Sequence, residues 1–397
     1  MSDRWLSIIG IGEDGLAGMG EASRNALDSA EVVIGGPRHL ALANVEARGI
    51  PWPLPFSIAP VLDQSGRPTA VLASGDPFWF GVGTALADAV PPREWRAYPA
   101  PSTLALAAAR LGWSQQGLRA FGCHAAPYEG LRPYLADGRR ALVLLRDEAA
   151  PAELARWLTA AGFGTSALYL LEALGGPRER ITHHRADTLE MAEIRIPVAA
   201  AVELQGPTEA ALSTAAGRED AAFRHDGQIT KAPVRALTLA ALAPRAGERL
   251  WDLGAGSGSV SVEWCLAAPG AEAIAVEQSE DRAANIRANA TAYGLAPRVS
   301  VHHGKSLDAL AELPDPAAVF VGGGADAALF DRLWRRVAPG TRVVTNAVTL
   351  ETQALVAERH AGLGGRLLKI DLAEAAPLGP GRGWTASRTL VQWSVIR

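Results

Sequence analysis

Residues 249–267 read RLWDLGAGSGSVSVEWCLA. A short apolar strand pattern at 249–253 runs into Gly254, Gly256 and Gly258, and an apolar helical pattern at 260–267 follows. Strand, glycine turn and helix in this order open a doubly wound α/β domain, whose ligands sit beyond the carboxyl ends of the strands. Glycines at alternate positions allow a tight turn and leave no side chain in a ligand's way. A dinucleotide fingerprint needs glycines spaced G-x-G-x-x-G. Counted from Gly254, its third glycine would fall on Ser259. Asp252, just before the loop, would repel a pyrophosphate and suits the ammonium and sulfonium charges of S-adenosylmethionine. Glu277 ends the next strand, nineteen residues after Gly258. A carboxylate placed there can accept both ribose hydroxyls.

Outward from this loop the second half continues to alternate. The pattern predicts helices at 232–242, 280–293 and 327–337, and strands at 272–276, 299–302, 317–321 and 342–346. Two late strands at 366–372 and 389–396 suit an antiparallel edge. The first half alternates as well, with strands at 5–11, 31–34, 69–74, 140–145, 166–171 and 196–204. Helices fall at 20–29, 84–89 and 102–111, the last with Ser102 as its N-cap. Such alternation implies parallel βαβ units. The stretch 205–227 is the junction, beginning with an alanine-rich helical pattern. The expected division is 1–207, a linker at 208–225, and 226–397.

Composition narrows the function. The chain carries a net charge of -4 and no basic tract, which argues against nucleic-acid binding. No apolar run is long enough to span a membrane, and the opening residues lack the pattern of a signal peptide. Cys123 and Cys265 are the two cysteines, far apart and without CxxC spacing, so neither a disulfide framework nor a thiolate metal site is expected. A soluble cytoplasmic enzyme without a metal fits these features. Of 38 basic residues only Lys231, Lys305 and Lys369 are lysines, and arginine suits bidentate recognition of carboxylates. His183-His184 and His302-His303 are neighbours on strands, so each pair points to opposite faces and makes a poor two-ligand site. Trp79 and Trp384 sit beside loops, where they could face a flat ring system.

Four segments of the second half carry a resemblance: Thr230-Lys231-Ala232-Pro233-Val234-Arg235, the glycine loop, Val319-Phe320-Val321-Gly322-Gly323-Gly324, and Asn346-Ala347-Val348-Thr349-Leu350-Glu351-Thr352. In this order they resemble the methyltransferases of cobalamin synthesis that alkylate C15 of the macrocycle and decarboxylate its acetate arm. The resemblance covers 226–397. It implies that Thr230, Gly254, Ala255, Gly256, Ser257, Gly258, Glu277 and Ser306 contact S-adenosylmethionine, beside Asp252. Where that family has Gly-Asp-Ala, this chain has Gly304-Lys305-Ser306, so an acidic contact to the adenine amino group is missing. Lys231, Arg235 and the amides of Gly322, Gly323 and Gly324 are candidates for binding substrate carboxylates. Asn346 and Glu351 are loop candidates, and Lys231, Arg235 and Asn346 are the candidates for catalysis.

In the first half, Gly10-Ile11-Gly12-Glu13-Asp14-Gly15 follows a strand, Ser74-Gly75-Asp76-Pro77 ends another, and Pro99-Ala100-Pro101-Ser102-Thr103 leads into the 102–111 helix. Together these resemble the two-lobed tetrapyrrole methylases, over 5–207. The resemblance implies cofactor contacts at Gly75, Asp76, Ser102 and Thr103, and a substrate cleft faced by Gly10 and Gly12. Glu13 departs from it, standing where that family has proline.

The expected architecture is therefore α/β throughout: a two-lobed tetrapyrrole methylase fold followed by a doubly wound, Rossmann-like methyltransferase. The two resemblances in one chain imply C5 and C15 methylation of a precorrin-6 type macrocycle, with loss of the C12 acetate carboxyl as carbon dioxide. One S-adenosylmethionine per domain is expected, with a tetrapyrrole substrate, no nucleic-acid or membrane partner, and a homo-oligomer. Methyl transfer from a sulfonium needs alignment more than a strong acid or base, and no nucleophilic triad is seen. Three alternatives compete: a two-domain methyltransferase acting on another substrate such as RNA, a first half that only docks the substrate, and a nicotinamide oxidoreductase.

Overall fold

A computed structural model describes residues 4–190 and 193–397. Residues 1–3 and 191–192, within the expected first domain, lie outside the described residues. The chain divides into two compact units, one comprising 1–128 and 134–211, the other 129–133 and 212–397.

The first unit contains two sheets. Strands β1 (Leu6–Ile11), β2 (Val32–Gly35), β3 (Gly49–Pro51), β4 (Thr69–Ser74) and β5 (Trp95–Tyr98) lie in the order β3-β2-β4-β1-β5, with every pairing parallel. Alternate residues feed two separate cores. Ile9, Ile11, Val33, Ala70 and Leu72 face one, while Leu6, Ile8, Val32, Ile34 and Val71 face the other. A parallel sheet buried on both faces reads as near-continuous apolar runs, as these strands do. Helix Thr103–Leu111 starts where Ser102 Oγ accepts the Ala105 N–H at 3.2 Å, and ends on Gly112 in the left-handed region.

The second sheet of this unit corrects the expectation of parallel βαβ repeats. Strands β6 (Leu118–Gly122), β7 (Arg140–Leu144), β8 (Ala167–Glu172), β9 (Arg180–Arg185) and β10 (Val198–Glu203) run in the order β6-β7-β10-β8-β9. Only β6 and β7 pair in parallel; β10 is antiparallel to both β7 and β8, and β8 to β9. The connection from β8 to β9 is too short for a parallel crossover, which needs a dozen residues or more. Along β9, residues alternate between half-buried and exposed, so His183 and His184 lie on opposite faces and the His183 ring packs on Tyr169 at 4.7 Å.

The second unit is a doubly wound sheet. Strands β11 (Arg249–Leu253), β12 (Glu272–Glu277), β13 (Val299–His303), β14 (Ala318–Val321), β15 (Arg342–Ala347), β16 (Arg366–Ile370) and β19 (Leu390–Ile396) lie in the order β13-β12-β11-β14-β15-β19-β16. The five from β13 to β15 are parallel, and β19 and β16 form the antiparallel edge. A hairpin of β17 (Ala373–Leu378) and β18 (Gly381–Ala386), not foreseen from the sequence, comes between the late strands in the chain. Trp384 lies on this hairpin and is 79 % exposed. Trp251, Trp264 and Trp393 are completely buried. Full burial of a large apolar side chain contributes about 1.5–3 kcal/mol, so this sheet is a rigid base for its loops.

No α-helix forms in 205–227, where the alanine pattern suggested one. Only 3-10 turns at Thr208–Ala210 and Asp220–Ala222 occur. Side chains of the second unit capture the backbone instead. The N–H groups of Gly217 and Arg218 donate to Glu263 at 2.7 and 2.9 Å, and that of Arg224 donates to Asn289 at 2.8 Å. Two long helices escaped the pattern, Ala150–Ala160 and Leu350–Leu363, as did the short ones at Pro37–Leu42, Ala59–Leu62 and Ser306–Ala309.

Candidate functional site

The glycine loop of the second unit lies between the end of β11 and helix Ser259–Ala267. Gly254, Gly256 and Gly258 have φ of +70°, +59° and +71°, a region that L side chains avoid. At Gly254 a Cβ would also stand 2.2 Å from the Gly323 carbonyl oxygen, and at Gly258 2.7 Å from Ile286. At its glycines the loop therefore lies flat on its neighbours and presents only backbone.

Two carboxylates frame it. Glu277 ends β12 and is 4 % exposed. Its Oε2 accepts the Gly256 N–H at 2.9 Å and its Oε1 the Ser279 N–H at 3.0 Å. Each oxygen keeps a further lone pair for a diol. Asp252 is buried beneath the loop, where Oδ2 accepts the hydroxyl and N–H of Ser261 at 2.6 and 3.2 Å. Burial pushes its carboxyl up to about 6, against the Ser261 hydrogen bonds and reinforced by the charge of Glu277. Two buried acids disfavour an anionic group and are stabilised by a cation. Ser257 Oγ is buried with no hydrogen-bond partner among the described residues. A glycine-lined cradle, an orphaned hydroxyl and paired acids fit a nucleoside that carries positive charge. The Gly304 N–H donates to the Glu277 carbonyl at 2.9 Å, which brings the loop leading to Ser306 to the same strand end. An added Cβ on Gly256 would meet the Gln228 carbonyl at 3.3 Å, so the segment leading to Thr230 also borders the loop.

Several candidates for substrate carboxylates are otherwise engaged. Arg235 is completely buried. Its Nε donates to Glu263 at 2.8 Å, Nη1 to Asp220 at 3.3 Å and to the Thr230 carbonyl, and Nη2 to the Arg218 carbonyl. The guanidinium ties 217–235 to helix Ser259–Ala267 and leaves little to offer a substrate. Lys231 pairs with Asp220 at 3.1 Å while remaining exposed. The Gly322 and Gly323 amides donate to the Leu253 and Gly254 carbonyls at 2.9 and 3.3 Å, so these two are already engaged. Asn346 is buried, with Nδ2 donating to Thr238 Oγ1 at 2.9 Å and Oδ1 accepting from Gln392 at 3.0 Å. Its side chain is thus engaged in an internal network. Glu351 is exposed in the first turn of helix Leu350–Leu363.

In the first unit a cavity of about 340 Å³ opens between its two sheets. Gly12, Gly75, Trp79 and Thr103 line it. The chain turns here by backbone packing: a Cβ on Gly10 would stand 1.8 Å from the Gly75 carbonyl oxygen, and Gly75 has φ +57°. Asp76 and Ser102 serve the turns themselves, Asp76 Oδ1 accepting the Phe78 N–H at 2.9 Å and Ser102 capping its helix. Sequence reasoning missed Arg38 and His39, which also line the cavity. Their signal was position: they follow Gly35-Gly36-Pro37 at the carboxyl end of a parallel strand.

The family described as tetrapyrrole (corrin/porphyrin) methylases matches residues 6–190, and the one described as precorrin methyltransferase domain matches residues 221–397. A protein of Sinorhizobium sp, named precorrin-6Y C(5,15)-methyltransferase (decarboxylating), is 46 % identical over 396 residues, 98 % of this chain and 96 % of the relative. A protein of the same name from Mycobacterium tuberculosis is 38 % identical over 403 residues, 99 % of this chain and 100 % of the relative. The solved C-terminal domain of the Rhodobacter capsulatus precorrin-6Y C5,15-methyltransferase is 60 % identical, covers 47 % of this chain and 100 % of its own, and has a TM-score of 0.46. With such identity sustained along nearly the whole of both chains, this chain belongs to the precorrin-6Y C(5,15)-methyltransferase (decarboxylating) family.

Proposed function

We propose that the two units divide the reaction between them. The chain is a methyltransferase of cobalamin synthesis that methylates a precorrin and decarboxylates it. On our reading, the first unit methylates C5, and the second methylates C15 and releases the C12 acetate carboxyl. Each unit holds its own S-adenosylmethionine. The observation that carries this division is the presence of a complete candidate site in each: the 340 Å³ cavity of the first unit and the Glu277-framed glycine loop of the second.

When bound, the cofactor supplies a methyl group on a positively charged sulfur, open to in-line displacement. In the second unit, Glu277 would hold the ribose, Ser257 Oγ would take a polar group of the cofactor, and Asp252 would lend its negative charge beneath the loop. Thr230 and Ser306 border the same strand ends. In the first unit, Gly75 and Thr103 would line the cofactor and Gly10 and Gly12 the substrate side. A meso carbon of the macrocycle acts as an enamine-like nucleophile, so what the chain must do is align the reactants and keep water away. We place the enzyme in the cytoplasm as a homo-oligomer; among the described residues no helix is long and apolar enough to cross a membrane.

The test is mass spectrometry and carbon NMR of a precorrin-6 type substrate incubated with ¹³C-methyl-labelled cofactor. The full chain is expected to add two methyl groups and lose one carbon dioxide. Gly75→Val is expected to lose the C5 label, and Glu277→Ala the C15 label. Label persisting at C5 in the first variant, or at C15 in the second, would overturn the division.

A further inference from the structure

Four residues from three separate segments meet on the wall of the first unit's cavity. Glu13 follows β1, Arg38 and His39 follow β2, and Ser74 ends β4. These strands are neighbours in one parallel sheet, so their carboxyl ends lie side by side. Arg38 Nη1 forms an ion pair with Glu13 Oε1, and Arg178 Nη2, from the turn between β8 and β9, reaches Glu13 Oε2 at 3.6 Å. Gly176 permits that approach: a Cβ there would stand 2.4 Å from Glu13 Cβ. Two guanidinium groups face one carboxylate, so the cluster holds a positive charge in surplus.

The hydrogen bonds define what the cluster lacks. Arg38 Nη2 lies 2.8 Å from Ser74 Oγ and 2.9 Å from His39 Nε2. A guanidinium nitrogen can only donate, so Nε2 accepts; with the Ser74 hydroxyl, 2.8 Å away, donating to the same nitrogen, the proton of a neutral imidazole sits on Nδ1. The ring is neutral near pH 7, because burial and the Arg38 charge push its pKa down to about 4. His39 Nδ1 is buried and has no hydrogen-bond partner among the described residues. An unpaired buried donor beside surplus positive charge calls for an anionic acceptor.

We infer that Arg38 and the His39 Nδ1–H bind one carboxylate arm of the macrocycle, with Glu13 as the positioning residue that holds Arg38 against the cavity wall. This rests on the assignment of C5 methylation to the first unit. A cofactor carboxylate is the weaker fit, since it would bring its neighbouring ammonium toward Arg38 and Arg178. The acid that departs from the proline of related loops thus acquires a role, which is to order the arginine before substrate arrives.

The test uses the full chain and separates KM from kcat for C5 methyl transfer. Arg38→Gln is expected to raise the macrocycle KM by about tenfold or more, the cost of losing a charged hydrogen-bond donor. It should leave kcat within about threefold and cofactor affinity within about twofold, both below the span of one such bond. Arg38→Lys, which keeps the charge and loses the planar fork, should raise KM by about threefold and carries the test if Arg38→Gln fails to fold. Glu13→Gln should raise KM with kcat retained, and Glu13→Asp should restore it. An unmoved macrocycle KM in the Arg38 variants, or a weakened cofactor affinity in its place, overturns the site. A wild-type chain that adds no methyl group to C5 would instead defeat the parent assignment, so the two failures are distinct.

Discussion

Glu277 Oε2 accepts the Gly256 N–H at 2.9 Å, so the acid that ends β12 also holds the middle glycine of the loop after β11. The two strands are parallel neighbours paired from Arg249↔Glu272 to Leu253↔Val276. Loop shape and ribose recognition therefore depend on one carboxylate, and a change there acts on both.

Glu277→Gln exchanges one acceptor oxygen for an NH₂ group, which must face the N–H of either Gly256 or Ser279. Cofactor affinity at the second unit should fall by about ten- to a hundredfold, the range of a hydrogen bond to a charged group. Calorimetric titration of the full chain should show one class of site weakened and the other unchanged. Unaltered affinity throughout would remove Glu277 from the site.

Gly254 and Gly256 should not respond equally to alanine. Both lie in the left-handed region, which costs a residue with a Cβ about 1–2 kcal/mol. At Gly256 the new methyl meets the Gln228 carbonyl at 3.3 Å, a contact that a small shift relieves. At Gly254 it meets the Gly323 backbone at 2.2 Å, between β11 and β14, where nothing can yield. Urea unfolding should rank Gly254→Ala well below Gly256→Ala in stability, and equal losses would contradict this packing.

Arg235 should behave as a structural residue. Replacing it with methionine strands Glu263, which is buried with it at 2.8 Å. Breaking a buried pair from one side costs about 3–5 kcal/mol, or roughly 10 °C in melting temperature for a unit of this size. The double variant Arg235→Met, Glu263→Gln should recover part of that loss, because the stranded charge is gone while an amide oxygen still accepts a backbone N–H of Gly217 or Arg218. A single variant that melts like wild type yet has lost C15 methylation would restore the substrate-binding role.

The glycine loop was legible because everything it needs is local: three glycines, one acid before them and another at the next strand end. Helix Ala232–Leu242 and β11 had the expected bounds for the same reason. What stayed hidden depends on partners far along the chain. Arg235 looks like a free cation until Asp220, Phe223 and Glu263 are seen around it. Glu13, Arg38, His39 and Ser74 become one cluster only when β1, β2 and β4 are placed side by side. Helix Ala150–Ala160 was not read from the sequence; Pro151 lies in its first turn, where the missing N–H costs nothing.

The charge of Asp252 is costly to the fold and useful to the cofactor. Its carboxyl is raised from the ordinary aspartate range to about 6, chiefly by burial. Between those two pH values the folded chain holds a proton that the unfolded chain has released. Stability from this group is therefore full at low pH and lost as pH rises through about 6. Asp252→Asn removes the charge, and its amide oxygen can still accept from Ser261. The variant should be at least as stable as wild type at pH 7, with a flatter stability profile between about pH 4 and 6. Its cofactor affinity should fall, since the charge that offsets a cation is missing. Melting curves across that pH range, paired with titration at pH 7, check both halves. A variant less stable than wild type at pH 7, with cofactor affinity intact, would show that the carboxylate serves packing and not charge.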